Sequence, residues 1–368
     1  MTSTIPSSSS SQLPPLPTLP ITSEETLRKC RQLSVGPKDI FICSFPKSGT
    51  TWMQNIVFQL LVAERIAHQN KKAKSSSSSS LSLKEIEAKV DQQELPLKHI
   101  SQYAPFYEID PHWEPDSDQL VSKIREAHEA LGYRLFNTHL LWDMLPKSSS
   151  SSTSSPVESA KYIYLVRDGR DTLTSFYHHM TNQHPDDGGY EGDFEAFFQD
   201  FLEGKIAYGK WQHHLASWMP QIFNNSQKKQ GNPPQILLVR YEDLKKDMKE
   251  QVVRLAKFLQ LENLVEDANK NNETGEGSES FLLQRVLERS SFQWMRKHQE
   301  LFHPISVRWK PGYNFIRSGS IGDHDTIFDE EHKKKFVDSV IADLADEQGQ
   351  VPTWLSEYGF HGTLDLKN

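Results

Sequence analysis

Four short stretches of the chain are mostly apolar and lack the alternation that marks a half-exposed strand. Runs of this length predict strands that are buried on both faces. Between and after them, apolar residues recur every three or four positions, which predicts helices that pack one face against the strands. The predicted strands are residues 40–45, 134–136, 162–166 and 236–239. Strands that alternate with helices predict an α/β fold, a doubly wound and mostly parallel sheet flanked by helices.

Segments rich in serine and proline interrupt this pattern. They can bury little apolar surface, so we expect disorder or surface loops there. Of the 368 residues, 33–362 are predicted to form a single domain, because the strand and helix pattern continues on both sides of each internal serine run. The predicted additions to this domain are a disordered tail at 1–32, loop insertions at 71–82 and 147–157, and a short tail at 363–368.

Composition narrows the possible partners. The chain has 41 Lys and Arg against 49 Asp and Glu, a formal charge of −8, which argues against a nucleic acid polymer as partner. Two cysteines are too few for a disulfide framework or a thiolate zinc site, and we expect no metal. No apolar run is long enough to span a bilayer and no secretory signal precedes the first strand, so we expect a cytoplasmic protein without a membrane partner.

The residues that follow the strands are the candidates for chemistry, because ligands bind at the carboxyl ends of strands in such sheets. The first strand runs into Phe-Pro-Lys-Ser-Gly-Thr-Thr-Trp at 45–52, where a helix begins. The lysine, the glycine, three hydroxyls and the helix amides could bind an anion, although the same residues would also make an ordinary helix cap. In the phosphate loop of ATP-splitting enzymes the lysine follows the second glycine. Here Lys47 precedes the only glycine, which makes an ATP-dependent kinase the weaker alternative.

The order Pro-Lys-Ser-Gly-Thr-Thr-Trp resembles the 5′-phosphosulfate loop of the cytosolic sulfotransferases. After the third strand, Arg167 and Ser175 resemble the family's 3′-phosphate site, and a guanidinium can hold a phosphate through two parallel hydrogen bonds. For this second segment a solvated charge cluster at a helix start is the alternative. The resemblance covers roughly 33–360. It implies that the donor is 3′-phosphoadenosine 5′-phosphosulfate (PAPS) and the product 3′-phosphoadenosine 5′-phosphate (PAP).

Three further segments resemble parts of the family's nucleotide site. Tyr241 resembles a tyrosine beside the adenine, and Ser290-Ser291-Phe292 resembles an adenine-facing Thr-Ser-Phe. The segment at 317–324 resembles a phosphate loop, although serine and histidine replace its usual lysine and tryptophan. The resemblance assigns the following residues to PAPS binding: Lys47, Ser48, Gly49, Thr50, Thr51, Trp52, Arg167, Ser175, Tyr241, Ser290, Phe292, Arg317, Ser318 and Gly319.

The second strand ends in Asn-Thr-His, where the family has Lys-Thr-His. The resemblance makes His139 the general base on the acceptor, a role suited to a side chain with an ordinary pKa of about 6.5. Lys47 would stabilise the leaving phosphate. Asn137 brings no charge where the family's lysine helps to neutralise the moving sulfuryl group, so a catalytically impaired nucleotide-binding homologue is one alternative. The charged run at 167–171 leaves a carbohydrate-acting sulfotransferase as another.

We expect the acceptor to be a hydroxyl or amine of a small, fairly apolar molecule. The candidate pocket residues are Phe106, Tyr107 and Trp142. The histidine pairs at 178–179 and 213–214 are poorly arranged for chelation and are predicted to be surface or pocket-lining residues. The family's dimerisation motif would fall at 325–334, where its defining residues are missing, so we expect a monomer or a dimer formed through another surface.

Overall fold

A four-stranded, all-parallel sheet in the order β2-β1-β3-β4 forms the centre of the protein. The computed structural model describes residues 16–75, 81–113, 118–147, 159–224, 235–266 and 280–361. The strands are Asp39–Ser44 (β1), Arg134–Thr138 (β2), Lys161–Val166 (β3) and Gln235–Arg240 (β4). Each overlaps a predicted run and differs from it by at most two residues at either end. The predicted α/β class is confirmed.

Helices cover both faces of the sheet, which explains why β1 and β3 are buried along their whole length. In β1, Ile40 and Ile42 pack into one buried cluster, and Phe41 and Cys43 pack into the other. The helices discussed below are Glu24–Gln32 (α1), Thr50–Ser75 (α2), Leu83–Lys89 (α3), Asp118–Leu131 (α4), Gly169–Asn182 (α5), Phe194–Glu203 (α6), Trp211–Asn224 (α7), Tyr241–Lys246 (α8), Met248–Leu259 (α9), Phe281–Arg289 (α10), Phe292–Lys297 (α11) and Glu330–Leu344 (α12).

The prediction of a disordered tail is wrong for residues 16–32, which include α1. The Ser23 side chain caps this helix by accepting a hydrogen bond from the backbone amide of Thr26. Cys30 is buried, and its carbonyl accepts a hydrogen bond of 2.8 Å from the Tyr107 hydroxyl. The capping serine and the buried face of α1 give this segment enough local and tertiary contacts to be ordered. Residues 1–15 lie outside the described part of the chain.

The first predicted loop insertion begins later than expected. Helix α2 continues to Ser75 because 71–75 contains neither glycine nor proline, and Lys71 forms an ion pair of 3.0 Å with Glu266. Residues 76–80 of this insertion lie outside the described residues, as do 148–157 of the second insertion and 362–368. Among the helices that the structure describes, none combines the length and apolarity needed to cross a membrane.

Candidate active site

The carboxyl ends of the four strands bring the predicted residues to one edge of the sheet. Strand β1 ends at Ser44 and leads into the loop before α2, β2 leads to His139, β3 to Arg167 and β4 to Tyr241. Neighbouring strands lie about 4.8 Å apart. The strand order therefore places the histidine, the loop, the arginine and the tyrosine side by side in that sequence.

The loop between β1 and α2 has the backbone of an anion-binding turn. Lys47 has φ of +67° and Gly49 has φ of +103°, both in the left-handed region. A side chain at Gly49 would place its Cβ 2.8 Å from a ring carbon of Tyr241, so the close approach also requires glycine. Residues of this kind turn successive amides toward one concave side, and the first amides of α2 have no partner within the helix. The loop and the helix end therefore present several N–H groups together.

The hydroxyl-bearing candidates around this turn lie in the loop, at the start of α2, or on α5: Ser48, Thr50, Thr51 and Ser175. Ser48 is buried, and the Thr50 hydroxyl lies 2.7 Å from that of Ser44, which fixes the start of α2 against β1. Ser175 is half-buried on α5, two helical turns after Arg167. Ser318 differs from these, because its hydroxyl donates to Asp323 within its own loop, at 3.1 Å.

Three cationic side chains act on one another at the site. Arg167 is buried and donates to the backbone carbonyls of Lys47 and Ser320, each at 3.2 Å. Arg317 forms an ion pair with Asp323. Burial, and then the charges of Arg167 and Arg317, lower the pKa of Lys47 to about 7. A desolvated lysine held near two arginines is an arrangement that a bound polyanion would stabilise.

Aromatic side chains form a wall beside these cations. The Trp52 and Tyr241 rings meet edge to face with centroids 5.5 Å apart, and the Trp52 indole donates to the Ser290 carbonyl at 2.8 Å. Phe292 lies under the loop at 317–324, where a Cβ on Gly319 would approach its ring to 2.7 Å. The rings from the start of α2, the end of β4 and α11 are therefore close enough to enclose a planar base.

Asp171 on α5 anchors the loop at 317–324. Its Oδ2 accepts from the Gly322 amide at 2.9 Å, and its Oδ1 accepts from the amide of His324 at 3.0 Å and lies 2.7 Å from that histidine's Nδ1. His324 is buried, so the residue that replaces the family's tryptophan fills the same loop position with a hydrogen-bonded ring. The loop thus keeps its place despite the substitution.

His139 is held in one tautomer. Its Nδ1 lies 2.7 Å from the carbonyl oxygen of Ser44, which can only accept, so Nδ1 carries the proton and Nε2 is the free acceptor. Burial lowers the pKa of His139 to about 4, with the hydrogen bond to Ser44 opposing this effect and the charge of Lys47 adding to it. The rings of Phe106 and Tyr208 pack edge-on against the imidazole, at 5.3 Å and 5.2 Å. The side chain is therefore neutral, oriented and able to accept a proton at Nε2.

Two buried residues, Glu108 and His214, support His139 in a way that the sequence did not predict; His214 was predicted to be a surface or pocket-lining residue, but it lies in the core. Glu108 is fully buried and accepts a hydrogen bond of 2.8 Å from the His139 amide, and burial raises its pKa to about 7. His214 lies with Nε2 3.2 Å from the His139 carbonyl, and its ring stacks on Tyr164. The available signal for Glu108 is a lone carboxylate at the end of the apolar segment Ala-Pro-Phe-Tyr-Glu. His214 carries no such signal, because its contact depends on the packing of α7.

The Asn137 side chain is hydrogen-bonded to the backbone. Its Nδ2 donates to the Ala104 carbonyl at 2.8 Å, and its backbone pairs with Phe106 in an isolated parallel bridge. This pairing holds the extended segment that places the Phe106 ring beside His139. The asparagine therefore supports, through main-chain contacts, the segment that carries Phe106 beside His139.

The three candidate pocket residues are not brought together. Phe106 contacts His139, but Tyr107 points into the core, where its ring meets Phe41 edge-on at 5.1 Å. The side chains of Phe106 and Tyr107 project in opposite directions because neighbours in an extended segment alternate. Trp142 is also a buried core residue, and its indole packs on the rings of Tyr162 and Trp218.

The donor set fits a multiply phosphorylated nucleotide. The buried Nε of Arg167 and Oγ of Ser290 have no hydrogen-bond partner, an arrangement that costs about 1–3 kcal/mol for each group when no ligand meets it. Cations and amides suit phosphates, and the aromatic wall suits a base. Among the residues that the structure describes, no three or more histidine, cysteine, aspartate or glutamate side chains are grouped so that they could hold a metal ion.

Comparison with known proteins decides the family. The family model for the sulfotransferase domain matches residues 37–348, most of the chain. This chain belongs to the sulfotransferase family. The resemblance stated from the sequence is confirmed, and the protein is a sulfotransferase enzyme. Human Sulfotransferase 1E1 is 26% identical to it over 318 residues, covering 83% of this chain and 86% of the relative. Dog Sulfotransferase 1B1 is 28% identical over 310 residues, covering 83% of each chain.

Solved structures show the same fold. Mouse sulfotransferase SULT7A1, crystallised with PAP, matches with a TM-score of 0.53 and 21% identity, covering 89% of this sulfotransferase and 93% of the mouse chain. Retinol dehydratase, crystallised with androsterone and the inactive cofactor PAP, matches with a TM-score of 0.53 and 18% identity, covering 89% of this chain and 87% of the other. At these identities the likeness shows the fold alone.

Proposed function

We propose that this sulfotransferase transfers a sulfuryl group from PAPS to a hydroxyl or amine of a small, fairly apolar acceptor. The observation that carries the proposal is the arrangement at the strand ends. A neutral, oriented histidine lies close to Lys47, and the charges of Arg167 and Arg317 act on that lysine. PAPS supplies a sulfuryl group on a phosphate leaving group, and the protein's task is to position and to stabilise charge.

The nucleotide would be held by both halves of the site. Lys47 and the amides around Gly49 would bind the 5′-phosphate side, and Arg167, Ser175 and Arg317 would bind the 3′-phosphate. Ser48, Thr50 and Thr51 would add hydroxyl and amide contacts at the helix start. Trp52, Tyr241, Ser290 and Phe292 would surround the adenine, with Ser318 and Gly319 shaping the loop above it. The unpartnered Arg167 Nε and Ser290 Oγ support this assignment.

His139 would act as the general base. The acceptor's O–H or N–H proton would pass to Nε2, and the acceptor atom would bond to sulfur. The bond from sulfur to the bridging phosphate oxygen would break, with its electron pair going to that oxygen and the charge being met by Lys47. A bound anion offsets the positive charge that helps lower the pKa of His139, so the base becomes stronger once the donor is present.

The acceptor side is proposed from the rings around the base. Phe106 and Tyr208 contact His139, and an apolar acceptor ring or chain would pack against such a wall. Tyr107 and Trp142 would not contact the acceptor, because both side chains are packed in the core. That the retinol dehydratase structure holds androsterone supports a small apolar acceptor. A cytoplasmic location, and a monomer or a dimer formed away from 325–334, remain our predictions.

The test is transfer of radiolabelled sulfate from PAPS to a panel of phenols, alcohols, amines and sugars, with PAP affinity measured by calorimetry. We expect label on phenols or apolar alcohols. His139→Ala should lose at least about a hundredfold in kcat and keep its PAP affinity. His68→Ala, on the exposed face of α2, is the matched control and should behave as wild type.

Other outcomes point elsewhere. PAP binding without transfer to any acceptor would identify a catalytically impaired homologue, which the Asn137 substitution favours. Label on sugars alone would identify a carbohydrate-acting enzyme. A His139→Ala protein with wild-type turnover would remove the histidine from the mechanism.

A further inference from the structure

His179 contacts the central lysine of the site, although the proposed mechanism gives it no task. Its Nδ1 lies 3.0 Å from the Nζ of Lys47. The histidine is half-buried on α5, one helical turn after Ser175, and its ring packs against that of Trp309 with centroids 4.9 Å apart. The sequence predicted a surface or pocket-lining residue. The structure makes it a direct partner of Lys47.

The chemistry of this contact fixes the donor and the acceptor. An ammonium group has three N–H donors and no lone pair, so the imidazole accepts at Nδ1 and carries its own proton on Nε2. Burial, followed by the charges of Lys47 and His139, lowers the pKa of His179 well below its ordinary value. The ring is therefore neutral near pH 7. The hydroxyl of Tyr313 also approaches Nδ1, at 3.4 Å.

Within the described ranges, no anionic side chain pairs with Lys47. The groups whose charges act on its pKa are the cations Arg167 and Arg317, and no carboxylate does so in the part of the chain that the structure describes. The remaining titratable group that faces it is His139, whose pKa the lysine charge lowers. A hydrogen bond to a neutral acceptor favours the charged amine without adding a negative charge that would repel phosphate.

We propose that His179 is a positioning residue for Lys47, taking one of its three N–H donors at Nδ1 and directing the other two toward the 5′-phosphate side of the donor. This inference rests on the proposed function for the assignment of Lys47 to the leaving phosphate. It also bears on the asparagine at 137, because this neutral hydrogen bond orients the single lysine and favours its charged form, which the motif at 137–139 does not do.

Loss of the acceptor atom has a consequence that can be measured without turnover. The pKa of Lys47, already lowered to about 7, should fall further, because the hydrogen bond to Nδ1 favours the ammonium form. A smaller share of the enzyme then has a charged Lys47 at neutral pH. PAP affinity should therefore begin to fall at a lower pH than in the wild type.

Three variants separate the acceptor atom from the ring. His179→Phe keeps a ring and removes the acceptor, whereas His179→Asn offers its Oδ1 near the position of Nδ1. His213→Phe is the matched control, since His213 lies on α7 and its Nε2 faces Asp343 at 3.7 Å. PAP affinity is measured by calorimetry from neutral to alkaline pH, together with kcat and KM for PAPS.

We expect His179→Phe to bind PAP about tenfold more weakly at neutral pH and to lose affinity at a lower pH. The asparagine variant and His213→Phe should keep the wild-type midpoint. An unchanged midpoint in His179→Phe would overturn the inference, and so would an asparagine variant as impaired as the phenylalanine one. A wild type that binds PAP but sulfates no acceptor would contradict the proposed function, while the binding curves would still decide the role of His179.

Discussion

At the scale of single residues, Asn137 replaces the lysine of the family pattern, and its side chain bonds to a backbone carbonyl. Its amide and that of Gln54 both donate to the Ala104 carbonyl, at 2.8 Å and 3.0 Å. A neutral amide suits this double contact, because the carbonyl oxygen can accept two hydrogen bonds. We infer that Asn137 bears on the acceptor segment, which carries Phe106, more than on the donor.

This inference predicts a split in the effects of Asn137→Ala. The carbonyl of Ala104 keeps its hydrogen bond from Gln54, so the free energy of unfolding should fall by only about 1 kcal/mol. The acceptor KM should rise severalfold because the segment with Phe106 loses one anchor, and PAP affinity should stay unchanged. Steady-state kinetics and calorimetry check both. Asn137→Asp, which turns an oxygen toward that carbonyl, should be the more destabilised control. A loss of PAP affinity in the alanine variant would contradict this assignment.

The residues that sequence could find are those that follow a strand directly. Lys47, His139, Arg167 and Tyr241 lie at strand ends, so a correct strand prediction already placed them at one edge of the sheet. The contact of His179 with Lys47 could not be predicted in this way. It depends on how the segment at 309–315 packs across α5, and no local pattern in the sequence specifies that packing.

At the scale of elements, α5 organises the side of the site that we propose to bind the 3′-phosphate. Arg167 precedes the helix, Ser175 lies on it, and Asp171 ties it to the loop at 317–324. Arg167 also donates to the Ser320 carbonyl of this loop, at 3.2 Å, and Gly319 lies against the Phe292 ring. Asp171 accepts hydrogen bonds from two backbone amides of the loop. Burial raises the pKa of Asp171, but the hydrogen bond from His324 and the charge of Arg167 outweigh it, so the pKa is lowered overall.

Asp171→Asn should accordingly weaken nucleotide binding more than it weakens the fold. One of the two backbone amides that now donate to the carboxylate, those of Gly322 and His324, would face an NH₂ group and lose its acceptor. We expect PAP affinity to fall about tenfold or more, with a smaller change in the thermal midpoint of the ligand-free protein. Calorimetry and thermal unfolding measure the two effects. Asp338→Asn, at an exposed ion pair with Lys334 on α12, is the control and should change neither.

Short apolar runs predicted β1 and β3 well, because burial on both faces leaves little choice of residue there. Helix α1 was missed because its residues are mostly polar and its stability comes from contacts far along the chain, such as the hydrogen bond from Tyr107 to Cys30. The end of α2 was placed too early for a similar reason, since the pair of Lys71 with Glu266 joins segments almost two hundred residues apart. The composition of a segment does not show which distant residues it contacts, so it could not predict that these two segments are ordered.

At the scale of the whole molecule, net charge and site charge are unrelated. The chain carries a formal charge of −8, yet Lys47, Arg167 and Arg317 meet where four strands end.

The N-terminal segment at 16–32 makes contacts with distant parts of the chain. The Pro17 carbonyl accepts from the Tyr208 amide at 2.6 Å, and the Ile21 carbonyl accepts from that of Asp110 at 2.8 Å. This segment therefore supports two parts of the chain that surround His139.

Two truncations test that role. Removal of 1–15 should leave stability and kinetics unchanged, whereas removal of 1–32 also deletes α1 and the contacts made by Pro17, Ile21 and Cys30. We expect the longer truncation to lower the free energy of unfolding by about 3 kcal/mol or more, because buried apolar surface and several buried hydrogen bonds are lost. Its kcat/KM for the acceptor should fall further than PAP affinity does, since the Tyr208 ring that packs on His139 loses its backbone anchor. Denaturant unfolding and steady-state kinetics measure these changes. If both truncated chains match the full-length protein, residues 16–32 are dispensable and the contacts of α1 contribute nothing to the site.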